Sequence, residues 1–86
     1  MQTSVELTGK ATEIDKVVER IRSQHTLREF WTDTTGGGRG NATVTIRGRL
    51  AYDPARFSDL VRSACVAARV DCKIRTNGRT LLQVPG

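Results

Sequence analysis

The sequence predicts an α+β fold, on three observations. A glycine-rich break, Gly36-Gly37-Gly38-Arg39-Gly40, divides the 86-residue chain into two halves, each carrying strand-like alternation and a helix-like apolar stripe. Asp53-Pro54 is a strong helix start, and Asn77-Gly78 is a tight hairpin turn. Two strand–helix–strand units joined by an antiparallel hairpin give the ferredoxin-like split βαβ sandwich, β-α-β-β-α-β plus a short C-terminal strand. Right-handed crossovers would set both helices on one face of an antiparallel sheet and leave the other face open.

The first strand is read from Ser4 to Thr8, where Val5 and Leu7 alternate with Ser4, Glu6 and Thr8 until Gly9-Lys10. Thr12 is placed as the N-cap of the first helix, with Asp15 in capping-box position and Ile14, Val17, Val18 and Ile21 at helical spacing up to about Ser23. That stripe would continue at Gln24, His25 and Arg28, which are polar, so Leu27 to Asp33 is read as a second strand. Glu29 should not be buried unpaired, which sends Phe30 inward and Trp31 outward together with Leu27 and Glu29. Residues 34–41 are expected as a flexible glycine-rich hairpin loop.

The third strand has the clearest alternation, with Val44, Ile46, Gly48, Leu50 and Tyr52 on one face and Thr43, Thr45, Arg47 and Arg49 on the other. Phe57, Leu60, Val61, Ala64 and Ala68 form the buried stripe of the second helix. After Val70, Cys72 and Ile74 alternate with Asp71, Lys73 and Arg75, and the Asn77-Gly78 turn leads into a strand from Thr80 to Val84. A two-residue hairpin would pair Leu82 and Val84 with Lys73 and Asp71, on the open face.

At this length the chain is expected to be a single domain over residues 1–86 with one modest core, burying roughly 60–65% of the surface its unfolded form exposes. An apolar fraction of 37% suffices for that core, and a charged fraction of 27% argues against disorder. No run reaches the ~18 apolar residues of a membrane span, and Met1-Gln2-Thr3-Ser4 carries no signal-peptide pattern, so a cytoplasmic location without membrane partners is the expectation. Cys65 and Cys72 are too few for a disulfide framework and lack the companion ligands of a zinc site, so they are read as reduced, buried thiols, with no metal or cofactor.

Fourteen Lys and Arg against nine Asp and Glu give a net charge of +5, a balance that favours polyanionic partners. The open face is where a partner would bind. Arg47, Arg49, Lys73 and Arg75 belong to it as phosphate contacts, Trp31 as a stacking surface, and Arg39 as a finger from the glycine loop, which together resemble the platforms that hold single-stranded nucleic acid or RNA. Glu6, Glu29 and Asp71 oppose the four sheet cations and leave about one surplus charge, which ordinary cross-strand pairing would also explain. The competing expectation is a protein-interaction or inhibitor module, or a homodimer, that uses Leu27, Trp31, Leu82 and Val84 as an apolar patch.

Catalysis is not expected. His25 is the one histidine and stands without a partner base, neither cysteine has a histidine at recognisable spacing, and the glycine stretch lacks the Gly-Lys-Ser/Thr ending of a nucleotide loop. RNA-recognition domains and acylphosphatases share the expected topology. The third strand nevertheless has no outward aromatic, and Thr8-Gly9-Lys10-Ala11-Thr12 is too short and lacks the arginine of an acylphosphatase anion loop.

Overall fold

Alternating apolar residues and two amphipathic helical stripes assemble into a two-layer α+β structure. The computed structural model describes residues 2–36, 39–51 and 53–84. Tyr52, Gly37, Gly38 and Pro85-Gly86 lie outside them, so the inward placement expected of Tyr52 and the flexibility expected of the loop tip have no structural counterpart. In chain order the elements are β1 (Gln2–Lys10), α1 (Ala11–Ser23), β2 (Leu27–Gly36), β3 (Asn41–Leu50), α2 (Pro54–Ala68), β4 (Asp71–Thr76) and β5 (Arg79–Val84). All neighbouring strands pair antiparallel in the order β2-β3-β1-β4-β5, which makes β1 the central strand.

One apolar cluster joins the sheet to both helices. Val5 and Leu7 of β1, Ile46 of β3 and Ile74 of β4 meet Ile14 of α1 and Phe57 of α2, all fully buried. The helix starts differ in chemistry. Asp53 accepts a hydrogen bond from the Ala55 amide at 3.1 Å, and Pro54 follows it as the first helical residue. The first helix departs from expectation, because Thr12 lies within it and does not cap. Strand β1 runs straight through Lys10 into α1 with no side-chain cap, and the Ala11 amide donates instead to the Gly40 carbonyl at 2.8 Å.

The β2–β3 hairpin is longer than the sequence suggested. Thr35 pairs with Thr43 and Gly36 with Ala42, so the strands reclaim both ends of the expected 34–41 loop and leave only residues 37–40 as the connection. The β-branched threonines at positions 32, 34 and 35 favour that extension.

Two register shifts decide which side chains reach the open face. In β2, Arg28 pairs with Arg49 and Trp31 with Arg47, so Glu29 and Phe30 together oppose Gly48. Glu29 adopts φ +55° to make this bulge. The extra residue reverses the alternation before Trp31, so Leu27 turns into the core at 8% exposure instead of lying outward, while Arg28 takes the outward place.

The β4–β5 hairpin keeps its two-residue turn, with positive φ at both Asn77 and Gly78, and pairs Arg75 with Thr80. A second shift then sets Ile74 opposite Leu82 and leaves Leu81 as the extra residue. Leu82 therefore faces the core at 6% exposure and Val84 packs half-buried against it, contrary to the expected outward pair, whereas Leu81 is 38% exposed.

Candidate functional site

The uncovered face of the sheet carries side chains in rows that cross the strands, because directly opposed residues of antiparallel strands project to the same side. The row nearest the start of β1 contains Arg28, Arg49 and Gln2. The next contains Trp31, Arg47, Ser4, Arg75 and Thr80. Beyond it come Asp33, Thr45, Glu6, Lys73 and Gln83, then Thr35, Thr43, Thr8 and Asp71.

This arrangement sorts the charges of the face by row. The first two rows hold four arginines, of which Arg49 meets Glu29 of the bulge, whereas Asp33 and Glu6 stand in the adjacent row with Lys73, and Asp71 in the row after it. Glu29 lies 3.5 Å from Arg49, and both are exposed, so their attraction is weak. Among the described residues, Arg28, Arg47 and Arg75 form no ion pair. The face is thus polar along its strands, with a cationic end and an acidic remainder.

Trp31 stands 49% exposed at the edge of the cationic end. The guanidinium carbon of Arg47 lies 5.5 Å from its ring centroid, a stacking distance at which the cation and the indole form one broad surface. Phe30 points the other way, as expected, with Arg22 of α1 at 5.1 Å from its ring. Ser4 stands between Arg47 and Arg75 on the central strand and pairs with both. A small hydroxyl between two long cationic side chains leaves a shallow depression of about 460 Å³, bordered by Gln2, Ser4, Arg47, Arg75 and the Asn77-Gly78 turn. The Asn77 amide donates to the Gln2 carbonyl at 3.3 Å and ties that turn to the start of β1.

The other expected contacts stand apart. Lys73 lies across from Glu6 in the more acidic rows. Arg39 is exposed beyond the far end of the hairpin, since the six residue steps from Asn41 to Arg47 span about 20 Å of strand. Of the apolar patch expected to bind protein, only Trp31 is freely exposed, because Leu27 and Leu82 are core residues and Val84 is half-covered. Ser4 and Arg28 are side chains of the candidate site that sequence reasoning passed over. The alternation of β1 already put Ser4 on the outer face, whereas Arg28 reaches it through a bulge that no residue pattern announces.

Cys65 of α2 and Cys72 of β4 are both buried, with the Cys65 thiol hydrogen-bonded to Cys72. That hydrogen bond, together with burial, pushes the Cys65 thiol well above its ordinary value of 9.0. A thiol held protonated is a poor nucleophile. Among the described residues no group of three or more His, Cys, Asp and Glu converges to hold a metal ion, and no helix is long and apolar enough to cross a membrane.

Comparison with protein-family models, with curated proteins and with solved structures finds no match to this chain. Any functional reading rests on the site itself.

Proposed function

We propose that this chain is a small non-enzymatic binding module that takes single-stranded nucleic acid on the arginine-rich end of its open sheet face. The observation that carries the reading is the row Trp31, Arg47, Ser4, Arg75, which joins an exposed aromatic to cations while the carboxylates of the sheet are relegated to other rows. A single strand offers unstacked bases and a phosphate backbone. The Trp31–Arg47 surface suits the first, and Arg28, Arg49 and Arg75 suit the second. Stacking on one aromatic is worth ~1–3 kcal/mol per base, enough for Trp31 to matter in a small interface.

The fold reading that accompanies this proposal is a variant of the ferredoxin-like split βαβ sandwich. The antiparallel neighbours β2-β3-β1-β4 support that reading, and β5 beyond β4 is the departure that makes it a variant. Sheet faces of this kind serve as ligand platforms because the helices occupy only the opposite side.

The deciding experiment is titration of fluorescently labelled single- and double-stranded oligonucleotides at two salt concentrations, with Trp31 emission followed in parallel. Single strands are expected to bind, to quench Trp31 and to weaken steeply with salt. Absence of binding at low salt would discard the reading and turn attention to a protein partner.

A further inference from the structure

Resting on the nucleic-acid reading, we infer that the depression over Ser4 recognises a terminal phosphomonoester, so that the module binds the phosphorylated end of a single strand in preference to its interior. Three observations converge on this ligand. Arg47 and Arg75 flank Ser4 from the two neighbouring strands, so their backbones are separated by two strand spacings, about 10 Å, and their side chains can converge on one group above the Ser4 hydroxyl. Among the described residues no carboxylate borders the depression, and Arg47 and Arg75 are the charged residues that do. Two guanidiniums match the charge of a monoester, about −1.5 to −2 at neutral pH, better than the single charge of an internal diester.

The shape adds direction. The Asn77-Gly78 turn, pinned to Gln2, borders the depression on the β4 side, while the Trp31–Arg47 surface lies on the opposite side. Past Ser4 the row continues to Arg75 and Thr80, with the turn beside them next to Gln2, so a strand that stacks its last base on Trp31 and Arg47 can seat its terminal phosphate over Ser4 between the two arginines. Arg47 belongs to both parts, which couples the phosphate to the stacked base.

The test compares one oligonucleotide sequence with a 5′-phosphate, a 3′-phosphate or hydroxyl ends, using anisotropy and Trp31 emission, beside inorganic phosphate as a competitor. Binding about tenfold tighter for one phosphorylated end is expected, as two charge-assisted contacts replace one. That preference should fade as pH falls through about 6, where the monoester loses its second charge. Ser4→Leu should remove the preference while the hydroxyl-ended strand still quenches Trp31, and Arg75→Ala should remove it while weakening every strand. Equal binding of all three strands with quenching intact would overturn the end-recognition inference and leave the single-strand reading standing. Inorganic phosphate competing as well as the phosphorylated strand would also overturn it, marking a free-anion site. No binding by any strand would remove both.

Discussion

Gly48 shows how much one absent side chain controls. A Cβ built there would stand 2.8 Å from the Arg28 carbonyl oxygen and 3.1 Å from the Leu27 Cβ, because the β2 bulge folds into the space that glycine leaves. Gly48→Ala should therefore cost about 1–3 kcal/mol, read as a lower thermal or urea midpoint, since backbone must move to admit the methyl. Loosening the bulge would also disturb the outward placement of Arg28 and Trp31. A second residue-scale expectation concerns Cys65. Above the ordinary thiol value of 9.0 the unfolded chain releases this proton while the folded chain keeps it, so the unfolded state binds fewer protons and stability falls as pH rises. Cys72, held below its ordinary value by the same hydrogen bond, shifts the opposite way and offsets this below 9.0, so urea midpoints should fall with pH above about 9 in the parent and fall less steeply in Cys65→Ala.

At the scale of elements, the bulges in β2 and β5 convert expected surface residues into core. Leu82→Asp would bury a charge without a partner at a position only 6% exposed and should unfold the domain, whereas Leu81→Asp, one residue away in the bulge, should leave the circular dichroism melt nearly unchanged. Were Leu82 part of a surface patch, the same change would alter association and spare the fold. The helix starts give a second contrast. Asp53→Ala removes the hydrogen bond to Ala55 and should cost about 1 kcal/mol. Thr12→Ala should cost much less, since Thr12 lies inside α1 and the amide of Ala11 is served by Gly40.

For the whole molecule, the net charge of +5 understates the local field, because the sheet face separates its charges along the strands. Arg47→Ala and Arg75→Ala should each flatten the dependence of log affinity on log salt by about 0.7 for a single strand, the contribution of one phosphate contact. Lys73→Ala, removing a cation across from Glu6 and outside the arginine rows, should leave that slope unchanged. Trp31→Ala should weaken binding by ~1–3 kcal/mol without changing the slope.

The sequence by itself determined the element order, the Asp53-Pro54 helix start, the Asn77-Gly78 turn and the outer face of β1, β3 and β4, because each follows from local propensity or from strict alternation over a few residues. Those signals also sufficed to single out Arg47, Arg49, Arg75 and Trp31. Only the tertiary structure decided the faces of Leu27, Arg28 and Leu82 and the start of α1. A one-residue bulge reverses every side chain on one side of it. Whether it forms depends on space offered by a residue distant in sequence, as Gly48 offers it to Glu29 and Phe30. The segregation of arginines from carboxylates was equally hidden, since it is a property of strand register across the sheet and not of any one segment.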